Sequence, residues 1–213
     1  MNAAPRPVWR NPWIVATLAG VLALTALRAC PTRSLAPLPI LNKVKPFTLT
    51  DHEGRAVTET SLAGRPYLVS FFFSSCRTVC PDLMRSVREL QQQLATSPAG
   101  HAVRVLTVSV DPEFDTPAVL AAYAKQHNLD LTRWSLLTGA RVDVEAFVVG
   151  NLATAMGERE TQAGGLIDIA HSMKIVLVDP TGHVRHYFSS TRAEDLALAA
   201  AYATQYAEEV LNP

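Results

Sequence analysis

Short continuous runs of apolar residues mark the strands that this chain is predicted to form. Residues 67–73 (Y-L-V-S-F-F-F) are apolar apart from one serine, residues 101–110 (H-A-V-R-V-L-T-V-S-V) end in a second run, and residues 173–178 (M-K-I-V-L-V) form a third. Such runs are typical of strands that are buried on both faces, with helices covering each side. Residues 47–58 alternate around an E-G turn, which predicts a hairpin, and D-P-T-G turns the third run into another strand.

Helical periodicity fills the segments between these strands. Residues 81–95 carry an apolar stripe at three- and four-residue spacing, and the T-P pair at 116–117 supplies an N-cap and a first-turn proline for a second helix. Residues 142–155 predict a shorter helix, and Thr191 with Glu194 predicts a capping box at the start of the last one. The order of elements predicts an α/β fold with a central mixed β-sheet flanked by helices, which suits a thioredoxin-like fold.

The N-terminus has a different character from the rest of the chain. Arg6 and Arg10 precede a 15-residue apolar run, and R-A-C-P follows it. This pattern fits an uncleaved membrane anchor, a lipoprotein signal with Cys30 as the acylated residue, or a cleaved secretory signal. Each of the three predicts a domain on the extracytoplasmic side, facing the periplasm, and the first two predict attachment to the membrane.

Three segments are therefore predicted. Residues 1–30 form the signal or membrane-anchor segment, and residues 31–39 (P-T-R-S-L-A-P-L-P) form a Pro-rich linker. Residues 40–213 form one domain, a size that buries most of its apolar surface.

Composition excludes some function classes. The 213-residue chain has 19 Lys plus Arg and 19 Asp plus Glu, so no global basic field favours nucleic acid. Its three cysteines are too few for a disulfide scaffold. Two of them, Cys76 and Cys80, lie together in S-F-F-F-S-S-C-R-T-V-C-P, which directs attention to the chemistry of this pair.

The position of the pair predicts reactivity. Pro81 favours a helix start directly after Cys80, which places Cys76 on the loop at the carboxyl end of a central strand. The positive end of the helix is expected to favour thiolate at Cys80 by lowering its pKa. A C-x-x-x-C spacing allows an intraloop disulfide and equally allows two sulfurs to converge on one metal ion. The pair is therefore compatible with three chemistries: a disulfide switch, a metal clamp and a peroxide-reducing thiol.

Six segments spread over the domain carry a family resemblance: L-T-D-H-E-G-R, L-A-G-R-P-Y-L-V-S-F-F-F, C-R-T-V-C-P, V-S-V-D-P-E-F-D-T-P, L-L-T-G and A-H-S-M-K-I-V-L-V-D-P-T-G. Together they resemble the Sco/SenC family of copper-binding, thioredoxin-like proteins. The resemblance implies that Cys76, Cys80 and His171 bind one copper ion, as Cu(I), Cu(II) or both. It also implies a copper chaperone that is not itself an enzyme and that serves assembly of the copper centre of cytochrome c oxidase. Its implied partners are a copper-receiving membrane oxidase subunit or another cuproprotein, and a thiol reductant.

The alternative function is a client-specific extracytoplasmic thiol-disulfide reductase that uses Cys76 and Cys80 as a redox-active pair. Reductases of this fold usually carry C-x-x-C and a proline before a late strand, whereas G-G-L-I-D-I-A-H-S has no proline. A thiol peroxidase would need Thr or Ser three residues before the reactive cysteine, where Phe73 stands. A structural zinc site would need four ligands. The other five histidines are interpreted as solvated, and Asp111 as a turn-capping residue.

Overall fold

We describe the protein from a computed structural model, which covers residues 12–28, 35–162 and 167–212. The chain divides into two units, Met1–Leu35 and Ala36–Pro213. The described part of the first unit contains one helix, α1 (Pro12–Arg28). Within the described ranges, no helix combines the length and the apolar character needed to cross a membrane. The membrane anchor is thus not confirmed, and Cys30, like the beginning of the predicted linker, lies outside the described residues.

An eight-stranded mixed sheet forms the centre of the second unit. The strands of this unit are β1 (Asn42–Lys43), β2 (Thr48–Asp51), β3 (Ala56–Thr58), β4 (Tyr67–Phe72), β5 (Arg104–Ser109), β6 (Trp134–Thr138), β7 (Met156–Thr161), β8 (Ile167–His171), β9 (Lys174–Val178) and β10 (His183–Ser189). The strand order of the sheet is β1-β10-β9-β4-β5-β6-β2-β3, and β7 pairs with β8 in a separate two-stranded ribbon. The central strands β4, β5 and β6 are parallel, whereas β9 pairs antiparallel with β4.

Helices cover this sheet, as predicted. All six residues of β4 are buried, so neither of its faces is open to water. Leu83, Val87 and Leu90 on the predicted apolar stripe are each at most 1% exposed. The helices of this unit are α2 (Glu59–Leu62), α3 (Cys80–Leu94), α4 (Pro117–Gln126), α5 (Arg141–Glu145) and α6 (Ala193–Leu211), with a 3-10 turn at Ala99–Ala102. The predicted central mixed sheet with flanking helices is confirmed.

Two local details differ from the prediction. The helix expected over residues 142–155 is α5 followed by a π-helical segment, Ala146–Asn151. The Asn151 side chain at its end is bonded to the backbone of Lys45 rather than to its own helix. The predicted capping box at α6 is wrong, because Arg192 is the N-cap and makes no side-chain cap bond.

Candidate metal centre

The cysteine loop connects β4 to α3 at the carboxyl end of the central strands. Cys80 is the first residue of α3 and Pro81 the second, close to the predicted helix start. Cys76 lies in the loop, where its backbone N–H donates to the carbonyl of Phe73 at 3.1 Å. The Cys76 side chain is 9% exposed and Cys80 is completely buried. The pair therefore lies at the rim of the core, with Cys76 nearer to solvent.

A buried carboxylate that the sequence did not single out fixes the start of this loop. Asp115 is fully buried, and its carboxylate accepts hydrogen bonds from the backbone N–H of Ser74 at 2.9 Å and from the hydroxyls of Ser74 and Ser109. Ser109 is the last residue of β5, so the carboxylate connects the cysteine loop to the neighbouring strand. The signal lay in the second aspartate of D-P-E-F-D-T-P.

The first aspartate of the same motif, Asp111, was predicted to cap a turn, but its side chain forms an ion pair instead. The Asp111 carboxylate is 3% exposed and pairs with the guanidinium of Arg159 on β7. The Arg159 Cζ atom also lies 5.3 Å from the centroid of the Phe114 ring. Sequence reasoning missed Arg159, because no periodic or motif signal marks the ribbon in which it lies.

The ribbon brings His171 to the cysteines. His171 is the last residue of β8, and its Nε2 atom lies 3.7 Å from Cys80 Sγ. Its Nδ1 atom lies 3.4 Å from the Ser172 carbonyl oxygen, and its ring stands edge-on to Phe73 with the centroids 5.8 Å apart. As a metal ligand Nε2 must be unprotonated, and the proton of the ring then lies on Nδ1, which faces that carbonyl.

The pKa values of the two thiols are shifted in opposite directions, and the predicted lowering of the Cys80 pKa is wrong. Hydrogen bonds from the Cys80 thiol, from His171 and from the backbone N–H groups of Cys80 and Thr78 lower the pKa of Cys76, although burial opposes them. The pKa of Cys80 is raised, because its thiol donates to Cys76 and because it is buried. The N–H groups at the helix start do favour a thiolate, but it is that of Cys76.

All three predicted ligand residues thus come together. Among the residues that the structure describes, however, no three Cys, His, Asp or Glu side chains surround a common point as bound ligands would. Of the remaining histidines, His101 and His127 are exposed. Three others are half-buried, namely His52, His183 and His186. The prediction that all five are solvated is therefore only partly right.

Comparison with known proteins decides the family. The model of the SCO1/SenC family matches residues 39–206. The chain belongs to this family.

Curated relatives in the SCO1/SenC family are about 30% identical to this chain over the aligned residues. The SCO1 protein homolog of Bacillus subtilis is 31% identical over 147 residues, which are 68% of this chain and 73% of the relative. The mitochondrial SCO2 homolog of Bos taurus is 29% identical over 150 residues, which are 70% of this chain but only 54% of the relative. The chain therefore spans about half the length of the mitochondrial relative.

Solved structures of the SCO1/SenC family share the fold. Bradyrhizobium japonicum ScoI, solved with copper bound, is 29% identical with a TM-score of 0.64, covering 77% of this chain and 99% of ScoI. BsSco, a member of the Sco family of cytochrome c oxidase assembly proteins in which a disulfide switch was identified, is 27% identical with a TM-score of 0.65, covering 80% and 98%. A SCO1/SenC family lipoprotein of Bacillus anthracis is 26% identical with a TM-score of 0.66, covering 78% and 97%. The thioredoxin-like fold expected for the domain is that of these proteins.

Proposed function

We propose that this protein is a copper chaperone which holds one copper ion through Cys76, Cys80 and His171 and delivers it for assembly of the copper centre of cytochrome c oxidase. The observation that carries the proposal is the 3.7 Å separation between Cys80 Sγ and His171 Nε2. Thiolate and imidazole ligands bonded to one metal at about 2.3 and 2.0 Å, with a trigonal angle between them, lie about 3.7 Å apart. The two atoms therefore need little movement to share an ion.

The chemistry of the donors fits copper. Thiolates are soft ligands that select Cu(I), and imidazole suits copper in either oxidation state. Thiols must lose their protons to bind a metal, and the lowered pKa of Cys76 already favours its thiolate. We infer that Cys76 binds first, and that binding then displaces the proton of Cys80. Three ligands at the rim of the fold leave one side open to an incoming ligand from the receiving protein.

Loading depends on the redox state of the pair. Oxidation joins the two sulfurs in a disulfide and transfers two electrons and two protons to an oxidant, which removes both thiolate ligands. A thiol reductant is therefore the second partner of the proposed function. We expect protein oxidised with excess disulfide reagent to bind no Cu(I), and to recover one equivalent after reduction.

A Cu(I) titration of the reduced full-length chain tests the proposal. The protein competes for Cu(I) with a chromophoric chelator under anaerobic conditions, and we expect one high-affinity equivalent. Cys76→Ser and Cys80→Ser should each abolish this binding, and His171→Ala should weaken it by more than about a hundredfold, because loss of a ligand costs more than loss of an outer-shell partner. His101→Ala is the matched control, because His101 is exposed in the 3-10 turn at Ala99–Ala102.

Other outcomes would change the assignment. Wild-type affinity in His171→Ala would show that the three-ligand site is wrong, and wild-type affinity in both cysteine variants would exclude this pair as the copper site. A client-specific reductase makes a different prediction, namely that disulfide turnover persists in His171→Ala and disappears in Cys76→Ser.

The place of action is also a proposal. Arg6 and Arg10 before the apolar run, the L-R-A-C sequence that ends at Cys30 and the likeness to a lipoprotein support a membrane-attached domain on the extracytoplasmic side. The intact mass of the mature protein distinguishes the three forms. An acylated Cys30 adds lipid mass after loss of the preceding residues, a cleaved signal shortens the chain without added mass, and an uncleaved anchor leaves the full chain.

A further inference from the structure

The ribbon that carries His171 is not hydrogen-bonded into the main sheet, although its Ile169 is buried in the core. Among the described residues, β7 and β8 pair only with each other, whereas the other eight strands form one sheet. Only Ser172 and Met173 separate β8 from β9. Main-chain continuity therefore limits how far His171 can move, but no strand pairing fixes the angle of the ribbon over the cysteine loop.

One ion pair between side chains supplies such a constraint. Arg159 is the cross-strand partner of Ile169 in the ribbon, and residues opposite each other on paired strands have their side chains on the same face. His171 lies two residues beyond Ile169 and shares this face. From this face of the ribbon, the Arg159 side chain extends to the buried Asp111 carboxylate, and its guanidinium also lies over the Phe114 ring.

The anchor of this contact is the segment that also holds the cysteine loop. Residues 111–115 follow β5, and the backbone carbonyl of Asp111 accepts hydrogen bonds from the N–H groups of Phe114 and Asp115 at 3.1 and 2.8 Å. At one end of this segment Asp115 binds Ser74 of the cysteine loop, and at the other end Asp111 binds Arg159 of the ribbon. A single short segment thus fixes both halves of the candidate metal centre.

We propose that the Asp111–Arg159 ion pair is a positioning latch, which sets His171 against Cys80 by fastening the ribbon to the segment that fastens the cysteine loop. The inference deepens the proposed function and rests on it for its effect on copper. Arg159 does not touch the metal in this scheme. It acts through the placement of the imidazole, as outer-shell partners of metal ligands do.

The test removes the charge of Arg159 and keeps the length of its stem. We expect Arg159→Met to weaken Cu(I) binding by about tenfold, and Arg159→Lys to restore part of the loss. In a His171→Ala background, Arg159→Met should weaken binding no further, because the latch acts only through His171. A merely structural role would instead lower affinity equally in both backgrounds, and that result would overturn the proposal.

A second readout needs no metal. In the reduced protein, NMR should detect a nuclear Overhauser effect between the His171 and Phe73 rings, whose centroids are 5.8 Å apart. Arg159→Met should weaken this signal and speed amide exchange along β7 and β8. Loss of the signal supports the latch even if the wild-type protein binds no copper, so failure of the proposed function is distinguishable from failure of the latch. An unchanged signal together with unchanged copper affinity would overturn it.

Two further variants make the test specific. Glu158 on the ribbon forms a 2.8 Å ion pair with Arg141 and its side chain is 84% exposed, so Glu158→Gln removes an ion pair of the ribbon other than the latch. We expect copper affinity and the nuclear Overhauser effect between the His171 and Phe73 rings to stay unchanged in this variant. Arg159→Met leaves the buried Asp111 carboxylate without a counter-charge, which destabilises the folded protein. If this variant does not fold, the double variant Asp111→Asn/Arg159→Met removes the unpaired charge, and the same predictions apply to it.

Discussion

Two buried aspartates of this protein each form an ion pair with an arginine, but the two ion pairs have different structural roles. Asp179 pairs with Arg185 at 2.8 Å, and Asp111 pairs with Arg159. Both carboxylates are almost completely buried. They differ in the distance along the chain to the arginine, which is six residues for Asp179 and 48 for Asp111.

The local pair stabilises a turn. The Asp179 carboxylate accepts hydrogen bonds from the backbone N–H groups of Thr181 and His183 and from the Thr181 hydroxyl, at 2.9, 3.0 and 2.7 Å. All of these groups belong to the D-P-T-G-H-V-R segment, which comprises the turn after β9 and the first residues of β10. The distant pair joins a central loop to a ribbon outside the main sheet. The comparison suggests that a local buried ion pair stabilises the scaffold, whereas a distant one arranges the site.

The largest expected effect comes from breaking the local pair. Asp179→Ala leaves Arg185 without its buried partner and removes three turn hydrogen bonds, so the free energy of unfolding should fall by about 3 kcal/mol. Urea denaturation measures this change. Copper affinity at a temperature where the variant is folded should stay unchanged, and a parallel loss of copper affinity would contradict the division between scaffold and site.

Asp130 provides the matched control for this experiment. It accepts hydrogen bonds from the backbone N–H and the hydroxyl of Thr132 at 3.0 and 2.7 Å, which is the contact that Asp179 makes with Thr181. Asp130 is exposed, however. We expect Asp130→Ala to lower the free energy of unfolding by less than about 1 kcal/mol, because water replaces the lost partner.

The same pair should appear in the dependence of stability on pH. Although burial opposes them, hydrogen bonds from His183, Thr181 and Arg185 lower the pKa of Asp179 below its ordinary value of 3.8. A lowered pKa means that the stabilisation is complete above the ordinary value and is lost as pH falls through the value in the folded protein. Melting temperatures of wild type and Asp179→Asn should therefore converge as pH falls from 5 to 2. A gap that is constant with pH would show that the charge of Asp179 is irrelevant.

A smaller effect is expected on the alkylation rate of Cys76, which should depend more on Cys80 than on the position of His171. Hydrogen bonds from Cys80 contribute most to the lowered pKa of Cys76, so Cys80→Ala should slow alkylation of Cys76 by iodoacetamide at pH 6 by about tenfold. Arg159→Met should slow this reaction less, because the hydrogen bond from His171 lowers the pKa of Cys76 by a smaller amount than the hydrogen bond from the Cys80 thiol does. Mass spectrometry of metal-free protein gives both rates. A larger slowing in Arg159→Met would mean that the latch also sets the thiolate.

The smallest expected effect concerns the ring beneath the Arg159 guanidinium. Phe114 is 47% exposed, and a cation–π contact at such a site is worth about 0.5–1 kcal/mol. Phe114→Leu should therefore weaken Cu(I) binding by no more than about fivefold, less than Arg159→Met. An equal or larger loss in Phe114→Leu would make the ring, and not the ion pair, the main contact of the ribbon.

The sequence predicted the parts of the site that depend on neighbouring residues. The buried run before Cys76, and Pro81 directly behind Cys80, are local signals, and β4 and α3 confirm them. The place of His171 came from a resemblance and not from periodicity. It could not be derived otherwise, because a histidine before a strand usually has only a structural role.

The missed features depend on contacts between distant segments. Strand β7 (M-G-E-R-E-T) has the polarity of a loop along most of its length, so nothing predicted a strand there or a partner for Asp111. The predicted lowering of the Cys80 pKa is wrong for a similar reason. A helix start favours a nearby thiolate, but only the three-dimensional arrangement shows that the N–H groups of Thr78 and Cys80 favour the thiolate of Cys76.

The separation of the β7–β8 ribbon from the eight-stranded sheet also has a consequence for protein engineering. Since no backbone ladder between described residues joins the two, exchange of residues 156–171 for the corresponding segment of a relative is expected to leave the hydrogen bonding of the main sheet unchanged. Under the proposed function, the exchanged segment needs a cation opposite Asp111, an apolar residue at the buried position of Ile169 and a ligand where His171 stands. Within those three requirements, we expect it to be a replaceable module through which one core can acquire a different metal preference.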